Sequence, residues 1–229
     1  MALILSRETS TLNCSVSLSQ NGVEISEASF QAEKYSHAEK LSPLIADCMQ
    51  SAGRALTDLH AIGVCKGPGS YTGLRIGVST AKGICYGLSI PLLAMDSTEV
   101  LSQMAWQKHP EADQCIALLD ARRMEVYSAH FSREGGRQSE TEAIIIDENS
   151  FAELRGLSVI FVGDAANKCA EVLTDPNWIF DHGFPTASTM AEEVYRKFDQ
   201  QEFEDVAYFE PYYLKDFIAG KPKDLLKQS

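Results

Sequence analysis

Hydrophobic and polar positions alternate in two registers along this chain, and the switches between them mark out the elements. Residues 2–6 form a short apolar run. Residues 12–18 place Leu12, Cys14, Val16 and Leu18 against Asn13, Ser15 and Ser17, the period-two pattern of a half-buried strand. Gln20-Asn21-Gly22 supplies a hairpin turn, and residues 23–30 resume as a strand, which predicts a three-stranded meander. The period then becomes helical over 36–52, with Leu41, Leu44, Ile45, Cys48 and Met49 on one face. Ser36 and Glu39 stand in capping-box positions, and Gly53 is a stop signal. Ala61 to Lys66 reads as a buried strand, a glycine-rich turn leads into a helix to about residue 87, and 90–95 is a further strand.

After Asp96 the pattern restarts. A helix is expected over 97–107, strands over 115–119, 124–131 and 142–146 with a turn near Gly135-Gly136, a buried strand over 159–162 ending at Gly163, and a helix over 188–198. A meander, then a buried strand followed by glycine, then a helix thus occurs twice, without a residue-level repeat. This order suits mixed sheets with helices packed on them, divided as 1–97 and 98–229.

Composition narrows the function classes. The 229 residues are 45% hydrophobic, enough for a substantial core or two lobes sharing an interface. A net charge of -12 argues against direct capture of nucleic acid, with Lys215, Lys221, Lys223 and Lys227 as the best candidates for a local basic patch. The six cysteines lack any Cys-x-x-Cys spacing and read as reduced core residues of a cytoplasmic protein. The first residues do not have the form of a signal peptide, and no apolar stretch is long enough for a membrane span.

The strongest local signal is GPGSYTGLRIGVSTAKG at 67–83. It is not a P-loop, because Gly73 is followed by Leu74-Arg75 where lysine and a hydroxyl are needed. It is not a dinucleotide fingerprint either, because Thr72 stands at the third glycine position. Gly67, Pro68, Gly69, Ser70, Thr72 and Arg75 instead form a tight turn and helix entry. Each helical glycine costs about 1 kcal/mol relative to alanine. Gly73, Gly77 and Ala81 are spaced by four and make a bare stripe that invites a second backbone, either in this chain or in another protein.

These residues also carry a resemblance. GPGSYTGLRIGVSTAKGICYG is similar to the signature of the TsaB (YeaZ) family, and SHAEKLSPL at 36–44, DARRMEVY at 120–127 and PYYL at 211–214 resemble its other motifs in the same order. The resemblance implies an α/β fold of the actin-like, Hsp70-like ATPase (ASKHA) type, with two related lobes, each a mixed sheet flanked by helices. It implies a heterodimer with TsaD, the catalytic relative, onto which TsaE docks, while TsaC makes the threonylcarbamoyl-adenylate that TsaD consumes. The product is threonylcarbamoyladenosine at position 37 of tRNAs reading codons that begin with A. ATP and a metal are then expected in TsaD, none is expected in this chain alone, and a nucleotide at the subunit interface stays open. The same resemblance, with the bare stripe, leads us to expect the partner surface on the helices at 36–52 and 72–87, through His37, Leu41, Leu44, Gly73, Gly77 and Ala81, and self-pairing of the free chain as a two-fold dimer.

Two functions remain to be weighed: an interaction subunit, or a stand-alone ATPase or acyl-transfer enzyme. TsaD relatives hold metal through two helical histidines four residues apart. Here His37, His60, His109, His130 and His182 contain no pair spaced by three or four. In such ATPases the first hairpin carries an acidic residue and hydroxyls that meet phosphate. Here it reads Arg7-Glu8-Thr9-Ser10-Thr11, with Glu8 where the family usually has Asp, so Glu8, Thr9 and Ser10 read as a vestigial nucleotide hairpin. Asp120, with Arg122 and Arg123, reads either as a base with anion clamps or as a turn with salt bridges. Neither a Gly-x-Ser-x-Gly elbow nor a local Cys/His nucleophile signature is present.

Overall fold

The computed structural model describes residues 1–31 and 36–215. The tail from Gly220, with Lys221, Lys223 and Lys227, lies outside them. The first sheet begins as the expected meander of β1 (Leu3–Glu8), β2 (Asn13–Gln20) and β3 (Val23–Gln31). Asn21 and Gly22 both take positive φ, 50° and 81°, the conformation a two-residue hairpin turn requires. Then come α1 (His37–Ser51), β4 (Ala61–Gly67), α2 (Tyr71–Leu88) and β5 (Leu92–Asp96). β4 pairs parallel with both β1 and β5, so the strand order is β3-β2-β1-β4-β5.

α3 (Ser97–Lys108) leads to the second sheet: β6 (Gln114–Asp120), β7 (Glu125–Ser132), the two-residue β8 (Gly136–Arg137), β9 (Glu142–Ile145), β10 (Val159–Val162), α4 (Ala166–Ala170) and β11 (Trp178–Asp181). Its order is β11-β10-β6-β7-β8, with β9 also on β7. Read as β9-β7-β6-β10-β11, it repeats the order of the first sheet. Two lobes of one topology, each a mixed sheet with helices against it, make this the actin-like ATPase fold. The sequence pattern had not marked α4 or β11, which are only five and four residues long and show no full period.

The last helix, α5 (Ala191–Asp199), returns to the first sheet. Met190 and Val194 join Ile4, Cys65, Leu93 and Met95 in one apolar cluster. This return changes the reading of β2. The Asn13, Ser15 and Ser17 face was expected in solvent, yet all three residues are buried. Asn13 donates to the carbonyl of Pro185 at 3.2 Å, and the Ser15 hydroxyl accepts from Ala187 N–H at 2.9 Å. The hydroxyl face is thus covered by a segment about 170 residues away. Ser36 precedes α1 in the N-cap position as expected, but its side chain makes no capping bond. Gly53, at φ 62°, does close the helix, and Arg54 N–H bonds back to Met49.

Candidate functional site

The glycine-rich turn at 67–73, the first hairpin and the PYYL segment converge at one end of the first sheet. Ser70 caps α2 by accepting from Gly73 N–H at 3.3 Å, and its own N–H donates to the carbonyl of Ser10 at 2.6 Å. Gly69 lies so close to Ser10 that an added Cβ would stand 2.7 Å from the Ser10 Cβ and overlap its carbonyl. Gly67 takes φ 113°, and a Cβ there would lie 2.8 Å from the carbonyl oxygen of Tyr212. The Gly67–Pro68 peptide is cis. Tyr212 N–H donates to the Lys66 carbonyl at 2.8 Å, and the rings of Tyr71 and Tyr213 sit 4.7 Å apart, with the Arg75 guanidinium over Tyr71 at 4.7 Å. Thr72 is exposed on the outer face. The turn at 67–73 is therefore a clasp that joins the first hairpin, α2 and the chain near residue 212.

The bare stripe on α2 faces inward, which corrects the expected partner surface. A Cβ on Gly73 would overlap the backbone carbonyl of Thr9, and one on Gly77 would overlap the Thr9 hydroxyl. Ala81 is wholly buried. Leu41 and Leu44 of α1 belong to the same core as Leu5, Val16 and Val78. His37 is buried beside the backbone of Thr11 and Asn13, and burial lowers its pKa. All six residues expected to meet a partner instead pack within this chain. The reason is geometric. A helix on a sheet buries its small-residue stripe wherever the strand comes nearest, and here that is the tip of the first hairpin.

What α1 and α2 leave exposed is the opposite pair of faces. Between them runs a groove of about 630 Å³ with Ile45, Ala46, Met49, Leu56 and Ile84 among its lining residues. Beside it on α2, nothing approaches the Cβ positions of Gly83 or Gly87 within 4 Å, and Tyr86 is 85% exposed. Sequence reasoning had these glycines in hand but weighted the inward pair.

The hairpin carries two buried charges on opposite faces of β1. Glu8 accepts Ser10 N–H on Oε1 at 2.7 Å, while Oε2 is buried without a partner among the described residues. Burial pushes its pKa up to about 7, helped by the charge of Asp164. Arg7 projects on the Leu3 and Leu5 side, fully buried, and none of its three side-chain nitrogens has a hydrogen-bond partner among the described residues. Burial lowers it to about 10. In the second lobe, the corresponding hairpin is closed on itself. Asp120 Oδ1 accepts Arg122 N–H at 2.9 Å and pairs with Lys168 Nζ, which also donates to the carbonyls of Arg123 and Glu125 at 2.8 Å. Arg122 and Arg123 both take positive φ. The turn and salt-bridge reading of Asp120 is the one the geometry supports.

The thiols offer little chemistry at neutral pH. All six cysteines are buried, and burial pushes Cys14 up to about 12 and Cys85 and Cys169 to about 11, so the nucleophilic thiolate is scarce.

Comparison with known proteins places this arrangement. The family model for TsaD, tRNA N6-adenosine threonylcarbamoyltransferase, matches residues 31–226. The tRNA threonylcarbamoyladenosine biosynthesis protein TsaB of Escherichia coli K12 is 30% identical over 226 residues, covering 95% of this chain and 96% of that protein. TsaB of Haemophilus influenzae is 27% identical over 229 residues, covering 95% of each. The solved structure of YeaZ from Pseudomonas aeruginosa superposes with a TM-score of 0.81 at 25% identity, over 93% of this chain and all of that one. With its full-length likeness to these proteins in sequence and in fold, the chain belongs to the TsaB (YeaZ) family.

Proposed function

We propose that this chain is a non-catalytic, activating subunit of tRNA threonylcarbamoyladenosine biosynthesis. It pairs with TsaD, the catalytic relative, which transfers threonylcarbamoyl to N6 of adenosine 37 in tRNAs reading codons that begin with A. TsaE docks on the pair, and TsaC supplies the adenylate. The observation that carries this reading is the open apolar groove between α1 and α2, flanked by the bare backbone of Gly83 and Gly87. Apolar surface of this kind is costly to leave in water and is suited to close packing by another protein's helices. In the free chain it also favours pairing of two copies about a two-fold axis.

The non-catalytic part of the proposal is supported by how the two hairpins spend their polar groups. Glu8 is turned back onto the amide of Ser10, an N–H that would otherwise be available to a phosphate. Lys168 is held by Asp120 and two backbone carbonyls. No cofactor is assigned to the chain by itself, and ATP and metal are assigned to TsaD. With net charge -12, it reaches tRNA through the complex rather than alone. A turnover assay with purified chain, with and without TsaD, tests this: threonylcarbamoyl transfer or ATP hydrolysis by the chain alone would overturn it.

A further inference from the structure

The two lobes share one strand order, so their connections can be compared one by one. In the first lobe the chain between β3 and β4 forms α1, whose Leu41, Leu44 and Cys48 share a core with Cys14, Val16 and Leu18 of β2. The corresponding chain between β9 and β10, residues 146–158, carries a single 3-10 turn at Ala152–Leu154. Ile146, Phe151 and Leu154 anchor it in the apolar cluster around Phe161. A turn covers less of the sheet than a helix of 15 residues does. Where α1 stands in the first lobe, the second has a cavity of about 340 Å³ over β7 and β9. Small-molecule sites begin at about that size.

The lining is one-sided in its chemistry. Ile116 of β6, Ile144 of β9, Phe151 and Leu154 supply apolar surface. Ser128 of β7 also lines the cavity; it is 6% exposed, and its hydroxyl bonds to no other described residue. A hydroxyl buried to that extent ordinarily has a partner. His130, on the same face of β7, places Nε2 at 2.7 Å from Oε1 of Gln114. An amide oxygen only accepts, so Nε2 carries the ring proton and Nδ1 is left as an acceptor. Burial lowers the His130 pKa against the opposing charge of Glu153, which keeps the ring neutral at neutral pH.

Three carboxylates, Glu140, Glu142 and Glu153, are exposed at the rim, and none is ion-paired with another described residue. Among the described residues no lysine or arginine lines the cavity. Glu142 stands directly opposite Ser128 in the β7–β9 register, so the two side chains share a face. Among the described residues no three His, Cys, Asp or Glu side chains are grouped to hold a metal ion. The carboxylates surround a mouth rather than converge on a point, which suits a cation larger than an ion.

We propose that this cavity is a binding site for a small organic cation, a primary ammonium group carried on an apolar body. The three N–H donors of the ammonium are matched by the Glu142 carboxylate, the Ser128 hydroxyl and the free ring nitrogen of His130. The body lies against Ile116, Ile144, Phe151 and Leu154, and Glu140 and Glu153 add attraction at the mouth.

Calorimetric titration of the full chain with phenethylammonium, and with its neutral and anionic counterparts phenethyl alcohol and hydrocinnamate, tests the site. Phenethylammonium is expected to bind at least about tenfold more tightly than the alcohol, because a charge-assisted hydrogen bond is roughly twice as strong as a neutral one. Hydrocinnamate is expected not to bind. Glu142→Gln is expected to lose most of the ammonium preference, and Ser128→Leu, which fills the cavity from its floor, to abolish binding. Glu142 is exposed, so its variant is expected to melt as the parent does, and it decides the question if Ser128→Leu does not fold. Failure of phenethylammonium to bind, or binding no tighter than that of the alcohol, would overturn the proposal. So would a preference left unchanged in Glu142→Gln, or binding that persists in a folded Ser128→Leu.

Discussion

The carbonyl oxygen of Thr9 occupies the space in which a β-carbon on Gly73 would have to stand, and the Thr9 hydroxyl does the same to Gly77. One residue at the tip of the first hairpin thus accounts for two glycines in α2, whose combined cost to the helix is about 2 kcal/mol. The two contacts differ in kind. A backbone carbonyl cannot rotate aside, whereas a hydroxyl can be removed. Gly73→Ala is expected to lower the melting temperature more than Gly77→Ala. Adding Thr9→Ala is expected to recover much of the Gly77→Ala loss and little of the Gly73→Ala loss. Melting of the two double variants against their parents measures the coupling directly. The larger Gly77→Leu change is expected to unfold the isolated chain by overpacking.

Arg7 presents the opposite case, a buried group whose removal should help. Its guanidinium is fully buried without a hydrogen-bond partner among the described residues, where isolated charge is expensive. Arg7→Met keeps most of the volume and drops the charge. Replacing buried ionic groups with packed apolar ones has stabilised proteins by about 1–4 kcal/mol, and a gain in that range is expected here from urea unfolding. A loss of stability would mean that the arginine has a partner in solution.

For the proposed partner surface, Ala46→Arg places a charged side chain in the groove between α1 and α2 without touching the core beneath. The melting temperature of the free chain should change little, since exposed substitutions usually stay within about 0.5 kcal/mol. Pairing with TsaD, read by size-exclusion chromatography or calorimetry, should be lost. A variant that pairs normally would place the interface elsewhere.

Stability should also depend on pH through Glu8. Its pKa is raised from an ordinary 4.5 to about 7 in the folded chain, so the folded state binds the proton more tightly. The stabilisation is fully present below about 4.5 and is lost as pH rises through about 7. The shift corresponds to about 3 kcal/mol at most, because one pKa unit is about 1.4 kcal/mol. Glu8→Gln is expected to flatten the melting profile across this window and to melt above the parent at its alkaline end.

Binding of tRNA to the isolated chain, followed by filter titration at physiological salt, should be weak, because a surface of net charge -12 repels phosphates. Tight binding that falls steeply with added salt would contradict this. It would then direct attention to the cations near Arg122 and Arg123.

The order of strands and helices apart from the short α4 and β11, the hairpin at Asn21-Gly22 and the stop at Gly53 were legible in the linear sequence, because each rests on spacing between near neighbours, and the family with its fold was legible through the motif at 67–83. The glycine stripe also announced correctly that some backbone must come close to α2. It could not say whose, because a missing side chain carries no information about what fills the space. Tertiary structure assigned that space to Thr9 and left Gly83 and Gly87 bare instead. The serine face of β2 shows the same limit. Alternation reports that two faces differ in polarity, and only the return of the chain at Pro185 and Ala187 decided that the polar face would be buried, with hydrogen bonds taking the place of water.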